Sequence, residues 1–233
     1  MTKADLGHAL HKSGLFGVLD WFRDYVELFK ASSRTSFSQY GEDLELQKRF
    51  GARKGIYIEI GANHPIRLSN TYLLYRKGWR GMIVEPVPSL FAKHKKLRPR
   101  DIHINAAAGS ADGELTFYEL IPSVLSTCDA DEAEKAVNGG IARLLKRFPV
   151  PVATVASLYR THLAPEPVLV LSVDTEGHDL AVLKGVDWDS MRPEVVICEG
   201  NNDDKQSEIT EFLAARGYEC FKQMGCNLMF SQI

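Results

Sequence analysis

Cysteine is scarce and scattered: four in 233 residues, at Cys128, Cys198, Cys220 and Cys226, with no C-x-x-C pair. That excludes a disulfide framework and the spacing of a zinc ribbon or a dithiol redox motif. Cys220 and Cys226 can meet across a hairpin, but two buried free thiols are the simpler expectation. A surplus of positive charge is missing too. Lys plus Arg total 28 against 30 Asp plus Glu, a net charge of −2, and the pI is near 6.4. A dedicated nucleic-acid binder normally shows a basic excess, so no nucleic-acid partner is expected. Long apolar runs are also absent. The longest stretch without Asp, Glu, Lys or Arg is 148–159, twelve residues that include two prolines. A spanning helix needs ~18 or more apolar residues, so no integral membrane segment is expected. Residues 1–13 lack the apolar stretch of a secretory leader, which makes the cytoplasm the simplest compartment. With 18 Gly, 10 Pro and 45% hydrophobic residues, collagenous and low-complexity readings fall away. What remains is ordinary globular composition, with chain enough for one large α/β domain and an appendage.

The clearest amphipathic helix covers 15–30, where Leu15, Val18/Leu19, Phe22, Tyr25/Val26 and Phe29 recur at helical spacing. Its other face carries Asp20, Arg23, Asp24 and Glu27. Membrane-surface helices are usually basic there, so this one is expected to pack on protein, either the body or a second copy in a homodimer. A polar linker over 31–38 and a short helix over 42–50 follow. Beyond them, apolar runs at 56–60, 82–84, 102–104, 168–173 and 195–198 read as strands. Helical patterns at 69–77, 88–97, 178–185 and 205–216 separate them. Such alternation means crossover connections and a largely parallel sheet with helices on both faces. Residues 218–223 and 227–233 read as a closing antiparallel hairpin. Segment 122–154, with DADEAEK, Gly139–Gly140, Pro149 and Pro151, is the least regular part and reads as an insertion or lid at a site mouth.

The first strand, Ile56–Ile60, runs straight into Gly61–Ala62–Asn63–His64–Pro65. A glycine there lets the backbone turn sharply and approach a ligand at the carboxyl edge of the sheet. G-x-G-x-x-G is absent, as is G-x-x-x-x-G-K-[ST], so no tightly cradled pyrophosphate is expected. Glu85 closes the second strand at the distance from Gly61 where an acid accepts hydrogen bonds from a ribose diol. A ribose without gripped phosphates suits S-adenosylmethionine. Glu59 lies inside an apolar strand, where a carboxylate needs a partner: the ligand's ammonium group or the amides of the turn.

The stretches SQYGEDLEL (38–46), IEIGANHP (58–65), SNTYLLYRKGWRGMIVEP (69–86), INAAAGSADG (104–113) and SVDTEGHDLAVLKG (172–185) resemble the FkbM family of S-adenosylmethionine-dependent methyltransferases. The resemblance covers about 38–200. It implies a class I, Rossmann-like α/β fold: a mostly parallel seven-stranded sheet ending in an antiparallel hairpin. It also implies methyl transfer to a hydroxyl of a small molecule, a sugar or glycan, or a secondary metabolite. The domain is then 38–233, with 1–37 as a helical appendage. His64–Pro65 stand where the family more often has a small or acidic residue and Gly.

On this resemblance Gly61 and Asn63 line the methionine end of the cofactor, Glu85 and Pro86 the ribose, and Asn105 and Ala106 the adenine. Gln39, Tyr40 and Asp43 fold over it. Asp174–Thr175–Glu176–Gly177–His178 ends an apolar strand at the ligand edge. O-methylation needs an in-line hydroxyl and a base for its proton. Asp174 is the first candidate, with His178 and His64 as alternatives. Asp174, Glu199 and Asn201 together suit Mg²⁺ as hard oxygen ligands, although a metal-free network is the preferred reading. The basic run 92–100 reads as a solvated helix face. If Arg67, Arg76, Lys77 and Arg80 gather in space, an acidic or phosphorylated substrate follows. Two other classes stay open: a non-catalytic adenosyl-binding or scaffold protein, and a nucleotide-sugar enzyme.

Overall fold

Ten strands and seven helices are laid out in the computed structural model, which describes Val26, Ala31, 33–200 and 202–233. The helix expected over 15–30 lies, apart from Val26, outside these residues. So does Asn201. Strands β1 (Ile56–Ile60), β2 (Arg80–Val84), β3 (Ile102–Ile104), β7 (Val168–Val173) and β8 (Val195–Glu199) coincide with the five apolar runs to within two residues at either end. They pair in parallel. The hairpin β9 (Tyr218–Met224) and β10 (Asn227–Gln232) joins antiparallel through β10 to β8. The seven-stranded order is β3-β2-β1-β7-β8-β10-β9, so the order reverses between β1 and β7.

All five residues of β1 are buried, because helices cover both faces. On one face Ile58, Ile60 and Val173 pack with Val155 and Leu158 of α5 (Val155–His162), Val182 of α6 (Asp179–Lys184) and Leu213 of α7 (Asp203–Ala214). On the other, Tyr57, Ile83, Val170 and Ile197 meet Leu46 and Phe50 of α1 (Glu42–Phe50) and Leu73 and Leu74 of α2 (Tyr72–Arg76). Register brings the strand ends level: Ile60 pairs with Val84 on one side and Val173 on the other. The next residues, Gly61, Glu85 and Asp174, therefore emerge together at one edge.

Segment 122–154 is more regular than its sequence suggests. A 3₁₀ turn (Ser123–Leu125) leads to α4 (Ala130–Asn138), whose N-cap Asp129 accepts hydrogen bonds from the backbone of Asp131 and Glu132. An eleven-residue strand follows, β6 (Arg143–Ala153). It forms a second sheet in the order β4-β6-β5 with β4 (Ala107–Ala108) and β5 (Gly113–Ile121). Pro149 and Pro151 pair with Thr116 and Glu114 of β5, whereas β4 meets β6 only at Val152 and Ala153. The prolines thus fall where β6 has a free edge, the place a strand tolerates a missing N–H. The four cysteines are free; Cys198 is buried, but Cys220 is exposed and Cys226 only partly buried, so the hairpin thiols are not the buried pair expected.

Candidate active site

A cavity of about 520 Å³ opens at the carboxyl edge of β1, β2, β7 and β8, on both sides of the reversal in strand order. Sheets of this kind bind ligands there. Its floor is the turn after β1. Gly61 has φ +72°, and a Cβ on it would lie 1.8 Å from the Asp174 carbonyl oxygen. Only glycine permits that approach between the ends of β1 and β7. Asn63 also takes a left-handed φ of 46°, a conformation Asn tolerates better than most residues.

Glu85 fixes the turn. Its carboxylate accepts from the Asn63 amide and the Val87 amide, both at 2.7 Å. The expectation that Glu59 serves the turn amides is therefore corrected: Glu85 does so. Burial pushes the Glu85 carboxyl up to about 8, against the pull of those two donors. Glu59 lines the cavity, but its charge is met from behind. Arg98 Nη1 lies 3.0 Å from Glu59 Oε2, the Thr71 hydroxyl donates to the same oxygen at 2.6 Å, and Ser69 donates to Oε1 at 3.1 Å. Arg98 also donates to Asp101 at 2.8 Å and to the Tyr57 hydroxyl at 2.8 Å.

Arg98 belongs to the run read as a solvated face, and that reading is corrected: Arg98 and His94 are both 0% exposed. His94 Nε2 meets the Asn63 carbonyl at 2.9 Å. Burial and the Arg98 charge push its imidazole down to about 3, so it acts there as a neutral donor. The signal was available in the inward spacing of Leu90, His94 and Leu97 along α3 (Pro88–Leu97).

Other expected residues separate. Pro86 and Ala106 line the cavity, with Ala107, Ala108, Val87 and Phe117 adding an apolar wall. Asn105 does not; its amide donates to the Glu85 and Pro86 carbonyls at 2.8 and 3.0 Å, clamping the end of β2. Nor does His64, whose Nδ1 accepts from the backbone of Ile66 and Arg67, both at 3.2 Å. It anchors the loop after Pro65 and is 5% exposed. Gln39 lines the cavity. Tyr40 stands outside it, close against Gly225 in the β9–β10 turn. Asp43 holds the strap that carries Gln39, accepting from Ser36, Ser38 and the Phe37 amide at 2.7, 2.8 and 2.6 Å. The four cations proposed to gather do not: none of Arg67, Arg76, Lys77 and Arg80 lines the cavity. Arg76 donates to the Ala31 carbonyl, and Arg80 pairs with Glu166 at the opposite edge.

At the far side of the cavity Asp174, Glu176 and Glu199 bring carboxylate oxygens within 4.8 Å of one another. Such a donor set can hold a divalent cation. Burial and then Glu199, Asp179 and Glu176 raise the Asp174 carboxyl well above the usual carboxylate range. Burial and Glu199 push Glu176 up to about 8. Asp179, not singled out in the sequence, ties the two strand ends together: it accepts from the Thr175 hydroxyl at 2.8 Å and the Glu199 amide at 3.1 Å. His178 lines the cavity as the N-cap residue of α6, and burial lowers its imidazole. The segment after β5 closes the side, through Val124, Leu125, Glu132, Ala136 and Ile141.

A glycine turn, an acid closing β2 and acids closing β7 and β8 lie inside residues 59–220, which match the profile of the methyltransferase FkbM domain. The chain belongs to the FkbM methyltransferase family. Its fold is the class I, Rossmann-like one, with the reversed hairpin at the end of the sheet. No curated protein matches. Among solved structures, precorrin-6y C5,15-methyltransferase from Geobacter metallireducens is similar at 11% identity, covering 85% of this chain and 89% of that one, with a TM-score of 0.43. A TehB-like S-adenosylmethionine-dependent methyltransferase from Corynebacterium glutamicum is similar at 11% identity, covering 92% and 97%, with a TM-score of 0.44. The glycopeptide N-methyltransferase MtfA, complexed with sinefungin, is similar at 12% identity, covering 85% and 87%, with a TM-score of 0.39. No described helix is long and apolar enough to cross a membrane.

Proposed function

We propose that this FkbM-family protein transfers a methyl group from S-adenosylmethionine to a hydroxyl of a small molecule, sugar or glycan. The observation that supports the reading is the close approach of Gly61 to the Asp174 carbonyl, which on this reading sets the cofactor turn beside the acceptor carboxylates. The residues present suit the cofactor. Glu85 has lone pairs left for a ribose diol beyond its two amide donors. Ala106–Ala108, Val87 and Phe117 form a small apolar wall against which an adenine can lie. Gly61 lets the methionine end approach the backbone, and the carboxylate of Glu59 faces its ammonium.

When bound, S-adenosylmethionine would supply an electrophilic sulfonium methyl for transfer to the acceptor oxygen. Asp174 orients the hydroxyl and takes its proton, and His178 is the alternative base on the same wall. The 122–154 segment acts as a lid that keeps water from the acceptor side, within a catalytic domain that spans 38–233. Most of the rate gain then comes from holding oxygen, carbon and sulfur in line. Calorimetry tests the cofactor half: S-adenosylmethionine and S-adenosylhomocysteine should saturate one site per chain. Methyl uptake from a labelled cofactor, screened over hydroxylated metabolites, tests the other half.

A further inference from the structure

Arg98 follows α3 as its C-cap and is buried. A guanidinium carries five N–H donors, and the surroundings of Arg98 answer each of them. Nε donates to Asp101 at 2.8 Å. Nη1 donates to Glu59 at 3.0 Å and to the Ser69 hydroxyl at 3.3 Å. Nη2 donates to the Tyr57 and Thr71 hydroxyls at 2.8 and 2.7 Å. Those three hydroxyls pass their own protons onward: Tyr57 donates to Asp101 at 2.8 Å, and Ser69 and Thr71 to Glu59 at 3.1 and 2.6 Å. Every bond of the network therefore runs from the cation toward one of two carboxylates. Of the two, only Glu59 lines the cavity; Asp101 accepts the Gly81 amide instead, at 2.9 Å. Three donors behind Glu59 hold its carboxylate against rotation. Oε1 accepts from Ser69 alone among them at less than 3.5 Å, so it is the oxygen with room to accept again.

His94 lies one helical turn before Arg98, and its carbonyl accepts the Arg98 amide at 2.8 Å. Its Nε2 meets the Asn63 carbonyl at 2.9 Å, while the Asn63 amide donates to Glu85. Both backbone groups of Asn63 are thus tied, which suits a residue kept at a left-handed φ of 46°. One buried stripe of α3 secures two parts of the same cavity wall: the Glu59 carboxylate and the turn after Gly61. Neither His94 nor Arg98 lines the cavity itself.

We propose that Arg98 and His94 are positioning residues for the amino-acid end of the S-adenosyl cofactor, with Arg98 aiming Glu59 at its ammonium and His94 holding the Asn63 turn beside it. This rests on the methyl-transfer reading above. It makes the amino-acid end, and not the adenosine, the part of the ligand that α3 recognises. A ligand with the adenosine but without the amino acid gains nothing from either residue.

The test is calorimetry on the full chain with S-adenosylhomocysteine and with 5′-methylthioadenosine, which lacks the amino-acid end. The wild type should bind the first about 10-fold or more tightly. Arg98→Lys keeps the charge but not the five-donor fork. It and His94→Leu should each cut that preference by about five-fold or more, with 5′-methylthioadenosine affinity held within about two-fold. His94→Gln, which keeps an N–H donor, should restore most of it. In a Glu59→Gln background Arg98→Lys should change the preference little, because its effect passes through Glu59. Urea unfolding checks each variant, and if Arg98→Lys does not fold, the two His94 variants decide. Equal weakening of both ligands, an unchanged preference, or the same Arg98→Lys effect without Glu59 overturns the proposal. Failure of the wild type to bind S-adenosylhomocysteine would instead sink the methyltransferase reading beneath it.

Discussion

Gly61 and Asp174 touch through their backbones: the Asp174 amide donates to the Ile60 carbonyl at 3.1 Å, and a Cβ on Gly61 would stand 1.8 Å from the Asp174 carbonyl oxygen. One residue begins the turn after β1 and the other follows β7, the two places proposed for cofactor and acceptor. Gly61→Ala should therefore damage both functions at once. With φ at +72° the substitution also costs about 1–3 kcal/mol in backbone strain. Urea denaturation should show that loss, and calorimetry should show weakened S-adenosylhomocysteine binding in the folded variant.

Glu85→Ala removes the acceptor for the Asn63 and Val87 amides and, on the proposed reading, for the ribose. Above about pH 8, where the Glu85 carboxyl is ionised, cofactor affinity should fall by about 1.5–3 kcal/mol, the range for a hydrogen bond to a charged group. Unchanged affinity would take Glu85 out of the ribose role.

Asp174→Asn keeps the shape of the wall but removes its basicity. We expect kcat to fall ~10²-fold or more, with cofactor affinity little changed because the adenosine contacts proposed above come from β1, β2 and the stretch after β3. Near-normal turnover would transfer the base role to His178 or leave transfer to positioning alone.

Arg98→Leu leaves Glu59 and Asp101 buried without their cation. Breaking one side of a buried ion pair costs about 3–5 kcal/mol, so the midpoint of urea unfolding should drop sharply. A drop comparable to that of an ordinary surface variant would contradict the role given to Arg98.

The dependence of stability on pH follows from acids whose folded values are raised. Glu85 and Glu176 are pushed up to about 8 and Asp179 to about 7. Between the ordinary carboxylate range and those values the folded chain holds more protons than the unfolded one, so stability falls as pH rises. The thermal midpoint of the ligand-free protein should decline from about pH 5 to about pH 8. Glu176→Gln should flatten that decline.

Much of the fold was legible because the parallel strands are short apolar runs that end in punctuation. The run IYIEI stops at Gly61 and VLVLSV at Asp174, so the elements and the points where they end could be read. Residues whose role is set by distant partners were not. Nothing local marks Arg98 as the partner of Glu59, 39 positions away, or Asp179 as the tie to Glu199. Asn105 and His64 sit where site residues belong in sequence, but their side chains satisfy backbone groups. The second sheet escaped notice because Pro149 and Pro151 look like strand breakers until the free edge of β6 is known. Asp174, by contrast, does line the cavity, because an acid that follows an apolar strand has few other places to go.

The most direct measurement of the central claim is a thermal-shift titration of the full chain with S-adenosylmethionine, S-adenosylhomocysteine and NAD. The expected result is a saturable rise in midpoint with both adenosyl-methionine compounds, lost in Glu85→Ala, and none with NAD. A saturable response to NAD, with none to S-adenosylmethionine or S-adenosylhomocysteine, would contradict it.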